Sequence, residues 1–142
     1  MSDLQPFDEL TVIDAINAAG ASINGLKTYR LPSPSMQTPC MIPMLAPEWN
    51  ASYGGRVGSP VVCSILILCS AGDLKSGPEL LFAFTSALGA RSVKLALEAD
   101  PTLGGVVNDV RVLGPDTRSY ERFDGDGNLT YVGRFLKCEI YP

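Results

Sequence analysis

Apolar and polar positions divide the chain into stretches of helical and of strand periodicity, separated by one long irregular segment. From Pro6 to Ala19, Val12, Ile13, Ile16 and Ala19 fall on one helical face, with Phe7 and Leu10 widening the apolar surface. Ser2 and Gln5 have capping-box spacing just ahead of it, Pro6 suits a first turn, and Gly20 is placed to stop the helix. Leu26 to Leu31 reads as a strand, with Tyr29 and Leu31 on one side and Arg30 on the other. Val61 to Ser70 is apolar on both parities, which predicts a strand covered on both faces in the middle of a sheet. Ser76-Gly77-Pro78-Glu79 has capping-box spacing and opens a helix to Leu88, whose core stripe is Leu80, Leu81, Phe84, Ala87 and Leu88. Phe82 falls on the opposite face, near Thr85 and Ser86, and is expected to contact something other than water.

The most fully punctuated stretch is Ser92 to Val112. Ser92 is a good N-cap, and Val93, Ala96 and Leu97 fall on one face of a short helix. Pro101 disfavours the helical region for Asp100, so the helix ends there. Gly104 and Gly105 supply a turn that calls for positive φ. A strand follows in which Val106, Val110 and Val112 share one parity, interrupted by Asn108, while Asp109 and Arg111 point the other way. Ser119–Phe123 and Leu129–Tyr141 then predict a hairpin closed by Asp124-Gly125-Asp126-Gly127-Asn128. In its second strand Leu136, Cys138 and Ile140 share one face, and Phe135, Lys137, Glu139 and Tyr141 the other. One face should therefore be packed on helices and the other only partly covered. Gly133 is placed to mark a bulge.

Residues 32–60 have another character. Six prolines (Pro32, Pro34, Pro39, Pro43, Pro47 and Pro60) and three glycines (Gly54, Gly55 and Gly58) exclude a helix or a central strand. A short extended piece around Met41–Leu45 fits, with Pro43 confining it to an edge. The segment also carries Met36, Met41, Met44, Trp49 and Tyr53. So apolar a loop is no solvent filler, and long irregular loops are usually functional. It reads as an arm burying Met41, Met44, Trp49 and Tyr53 against a neighbour; the alternative is that it wraps over its own core. Phe82, Phe135 and Tyr141 complete the set of candidate interface residues.

Length and composition narrow the picture further. With 142 residues the chain is one domain, and its 18% charged residues are few for a soluble monomer, where about 25% is usual. A surface so poor in charge favours assembly with further copies. The net charge of −4 and the scattered Lys and Arg exclude nucleic-acid binding through a basic patch. MSDLQPFDEL has neither the basic nor the apolar region of a signal peptide, and the longest apolar run, Val61–Cys69, is too short to span a bilayer. The simplest expectation is a cytoplasmic protein.

Histidine is absent, which removes Ser–His and Cys–His nucleophilic catalysis. Cys40, Cys63, Cys69 and Cys138 form no C-x-x-C pair, so they read as buried free thiols instead of zinc ligands. The Asp124–Asn128 turn opens like a calcium loop, but Leu129 stands where glycine is required and Phe135 where glutamate is. Gly54-Gly55 and Gly104-Gly105 lack the residues of a phosphate-binding loop. No catalytic residue, cofactor or metal site is therefore expected.

The stretch SVKLALEADPTLGGVVNDVRV resembles the signature region of tail terminator proteins of long-tailed, siphovirus-type bacteriophages, especially those of actinobacterial hosts. The agreement lies at Ser92, Val93, Lys94, Ala96, Leu97, Glu98, Asp100, Thr102, Leu103, Gly104, Gly105, Asp109, Arg111 and Val112. Weaker similarity extends over the first helix, the proline-rich segment, the buried strand and the closing hairpin. The resemblance implies an α+β subunit, one mixed or antiparallel sheet of about four to five strands with two to three helices on one face. To this is added the proline-rich arm, all in a single domain over residues 1–142. It also implies a homohexameric ring in the virion neck, assembled in the host cytoplasm. The ring would sit on the tail tube, stop its growth and offer a docking surface to the head–tail connector. DNA would pass through the lumen without specific binding, and no membrane is involved. Asp100, Pro101, Gly104 and Gly105 would be turn and scaffold residues, and Leu95, Leu97 and Leu103 would position the strand. A stopper or head–tail adaptor is the neighbouring reading, and a small carboxylate-dependent enzyme the one from a different class.

Overall fold

The computed structural model describes residues 8–32, 37–46, 61–70, 76–116, 120–124 and 130–141. Helix α1 runs Glu9–Gly20, and strands β1 (Lys27–Thr28), β2 (Cys40–Ala46) and β3 (Val61–Ser70) follow. Helices α2 (Ser76–Thr85) and α3 (Val93–Glu98) precede β4 (Asp109–Pro115), β5 (Glu121–Asp124) and β6 (Thr130–Tyr141). The sheet has order β1-β2-β3-β6-β4, with β5 also on β6. Because β4 pairs residues Leu136–Tyr141 and β5 pairs Thr130–Gly133, the two short strands lie end to end along one flank of β6. The β1–β2 pair is parallel and all others are antiparallel. This is the expected α+β architecture with one mixed sheet, six strands in place of four to five, and three helices.

All three helices cover one face of the sheet. Val12 and Ile16 of α1, Leu81 and Phe84 of α2, and Val93 and Leu97 of α3 share a cluster with Met41, Cys63, Ile65, Ile67, Cys69, Val112, Leu136, Cys138 and Ile140. The period-two rule assigns these strand residues to one face. On the other face Cys40, Ile42, Leu66, Leu68 and Tyr131 form a smaller buried cluster, with Tyr29, Met44 and Phe135 against it. The strand apolar on both parities, β3, thus lies at the centre and is buried on both sides, as predicted.

Several boundaries differ from the sequence expectation. α1 is capped by Asp8, which accepts from the Thr11 N–H and hydroxyl, so a carboxylate near the helix itself sets its start. The predicted cap at Ser2 and Gln5 lies outside the described residues. Gly20 ends α1 within the helix, and Ala21 is the C-cap; a side chain at Gly20 would run into the sulfur of Met41. α2 stops at Thr85, leaving Ala87 and Leu88 exposed, Leu88 to 75%, instead of in the core stripe. Gly133 makes no bulge: it pairs with Leu68 on one side and Glu121 on the other, and the shift falls at Val112/Gly114 in β4. β1 shrinks to two residues. Pro43 lies past them in β2, on an outer flank that no described strand pairs, which accommodates its missing N–H.

Candidate interaction surfaces

The stretch from Ser92 to Val112 folds as one tied unit. Ser92 Oγ accepts from the Leu95 N–H at 3.2 Å and donates to the Ser86 carbonyl at 2.6 Å, starting α3 and fixing it to the preceding turn. After α3, Asp100 accepts from the Thr102 hydroxyl at 3.0 Å and from the Gly104 N–H at 2.9 Å. Leu103, Gly104 and Gly105 take φ of 50°, 72° and 90°, so the glycines stand where the left-handed region is required. Leu103 and Val107 are buried, whereas Val106 is exposed. The turn therefore persists beyond Val106, the strand begins only at Asp109, and the expected inward place of Val106 belongs to Val107. Leu95 is likewise exposed, so of the three leucines only Leu97 and Leu103 support the strand from within.

Lys94 and Glu98 act on β4 directly. Lys94 Nζ donates to both Glu98 oxygens at 2.8 Å and to the Val112 carbonyl at 3.1 Å. Glu98 Oε2 accepts the Val112 N–H at 2.9 Å. Burial raises the Glu98 pKa, but the hydrogen bonds from Lys94 and Val112 outweigh it and hold the group below its ordinary 4.5. A general acid at neutral pH needs the opposite shift. Nearby, Arg111 Nε donates to Asp109 at 3.0 Å and its guanidinium lies 5.4 Å from the Tyr141 ring centre; the Tyr141 hydroxyl donates to Glu139 at 3.2 Å. An open groove of about 440 Å³ runs between α3 and this strand, lined by Lys94, Glu98, Pro101, Val110, Arg111 and Leu113.

A second surface joins α2 to the hairpin. The Phe82 ring meets Tyr120 edge to face at 6.0 Å, and the Arg134 guanidinium lies 5.0 Å over it. Arg134 also donates to Thr85 Oγ1 at 3.1 Å, and burial lowers its pKa. Phe82 is 41% exposed, so its off-stripe position resolves into a half-covered aromatic on a guanidinium. Sequence reasoning found Phe82 but not Tyr120 or Arg134. The available signal was Arg134 breaking the apolar parity of Leu136, Cys138 and Ile140.

The remaining interface candidates separate. Met44 and Phe135 are half-buried on the sheet face opposite the helices, and Tyr141 is half-buried beside Arg111. Met41 is wholly buried in the main core against Gly20, which corrects its expected place on a contact surface. Trp49 and Tyr53 lie outside the described residues, as does most of the Asp124–Asn128 turn. All four cysteines are free and buried. Burial pushes the Cys40 and Cys69 thiols up to about 11 and about 12. Cys63 and Cys138 face each other across β3 and β6; their hydrogen bond, then burial, raises Cys138. Among the described residues no cluster of three metal-ligating side chains occurs. No helix there is long and apolar enough to cross a membrane. No protein-family model matches the chain, and no curated protein matches it.

Proposed function

We propose that the chain is a structural subunit of a bacteriophage virion, a tail terminator that assembles as a homohexameric ring. The ring caps the tail tube, stops its polymerisation, and presents a docking surface to the head–tail connector. The observation that carries this reading is the stretch from Ser92 to Val112, where the resemblance lies. Its polar residues Ser92, Lys94, Glu98, Asp100 and Thr102 are spent on holding α3, the turn and β4 to one another. A stretch of that kind serves shape. Assembly surfaces of suitable chemistry accompany it: the Phe82–Tyr120–Arg134 patch combines aromatic and guanidinium groups of the type that anchors interfaces. The Phe135–Tyr141 face of β6 is half-covered as well. Contacts of unlike patches around a rotation axis close into a ring.

Light scattering and negative-stain electron microscopy of the purified protein, alone and with tail tube protein, test the proposal. Six-fold rings that cap tubes and limit their length are expected. A strict monomer that leaves tube growth unchanged overturns the reading, and binding to the capsid portal in place of the tube end transfers the chain to the stopper or adaptor role.

A further inference from the structure

The outward side of β4 holds a backbone edge that two side chains occupy. In antiparallel pairing with β6, Arg111 faces Glu139 and Val112 faces Cys138. The N–H and C=O of Val112 are taken by Glu98 and Lys94, so this residue turns its backbone groups away from β6. By the two-residue period Val110, paired in register with Ile140, turns its backbone groups the same way. A carboxylate on the donor and an ammonium on the acceptor reproduce what a neighbouring strand would offer. Lys94 precedes Glu98 by four residues, the less favourable order for a pair that only decorates a helix. Its placement is explained by reach to Val112.

We propose that the β4 edge is a latent self-pairing surface, held shut by Lys94 and Glu98, and that the strand it accepts is β4 of a second copy. Exposed edges pair with like edges, and natural sheets block them with charged side chains. The occupant is set by charge. Two β4 strands running antiparallel about Val110 bring Asp109 of one copy opposite Arg111 of the other on both sides of the axis, so the intramolecular ion pair of each copy is replaced by an intermolecular one and no like charges meet. The groove beside the strand is open and carries both charge signs, which suits an extended backbone with alternating dipoles. With Val112 clamped, the edge is blocked at one of its outward residues; with it released, Val110 and Val112 both turn backbone groups outward. The device directs assembly to other surfaces, and it holds whether or not the ring reading does.

The test is the double variant Lys94→Ala/Glu98→Ala, compared with wild type by multi-angle light scattering and circular dichroism. A folded variant of at least twice the wild-type mass is expected, and adding Arg111→Glu, which sets acid against acid across the axis, should restore the wild-type mass. A folded double variant at wild-type mass across the concentration range overturns the proposal, as does a mass increase that Arg111→Glu leaves in place. Should the double variant not fold, amide exchange on the wild type decides: the Val112 amide protected and the Val110 amide exchanging freely supports a clamped edge. Equal protection of both overturns it.

Discussion

Gly104 has φ +72° and open space where a side chain would stand, so a substitution there is resisted by the backbone alone. A β-branched residue in that conformation should cost about 1–2 kcal/mol, whereas asparagine visits it more readily. We expect urea midpoints to fall in the order wild type, Gly104→Asn, Gly104→Val, and on the proposed ring reading the yield of rings falls in the same order; equal midpoints for Val and Asn would show that φ is not the constraint. Glu98 gives a pH dependence with a defined sign. Its folded pKa is depressed, so its stabilising contribution is full above about 4.5, the unfolded value, and is lost as pH falls through the lower folded value. Asp8, held down by the Thr11 hydroxyl, and Asp14, held down by Arg30, act in the same acid window. Glu98→Gln should flatten the acid limb of a stability–pH curve while leaving part of it to these two. The N-cap of Ser92 and the glycine turn were legible in the sequence because each is a local rule. The Lys94–Glu98 clamp was not, since its third member, Val112, contributes backbone and leaves no trace in residue identity.

At the level of elements, Gly77 shows a constraint of a different kind. A side chain on it would collide with the backbone carbonyl of Ser70 at the end of β3, so α2 can approach the sheet only through a glycine. Gly77→Ala should cost about 1–3 kcal/mol through displacement of α2, read as a lower melting temperature. The central strand, the hairpin and the buried stripes of the helices followed from periodicity. Helix ends did not: Ala87 and Leu88 continue the apolar stripe of α2, yet the chain leaves the helix at Thr85. There the Thr85 hydroxyl donates to the Leu81 carbonyl and accepts from Arg134 of β6. That contact spans a distance in sequence that no local pattern encodes. β2 was underestimated for a related reason, because its one proline, Pro43, describes only one flank of a strand whose other flank pairs fully with β3.

For the whole molecule, the buried thiols and the exposed aromatic patch give opposite expectations. With Cys40 and Cys69 raised to about 11 and about 12, and all four thiols buried, the native protein should not react with a disulfide reagent at pH 8, and all four should titrate after denaturation. On the proposed ring reading, Phe82→Ala should lower the mass of the assembly while costing the unfolding midpoint less than a core truncation does, because the half-covered aromatic side chain lies outside both buried clusters. A lower midpoint with unaltered assembly would assign Phe82 to the fold instead.

The position of β6 also has a consequence for the order of events in making the subunit. It follows β3, β4 and β5 in the chain and is the strand to which each of them pairs. Val61 waits for Ile140 and Ser70 for Tyr131, contacts so distant in sequence that closing them is expected to limit the rate of folding. Until β6 arrives, β3 has an empty flank and is apolar on both faces, a hazard for aggregation during synthesis. The last strand thus serves as a checkpoint, and a nascent chain without it offers a sticky edge where the finished one offers a surface.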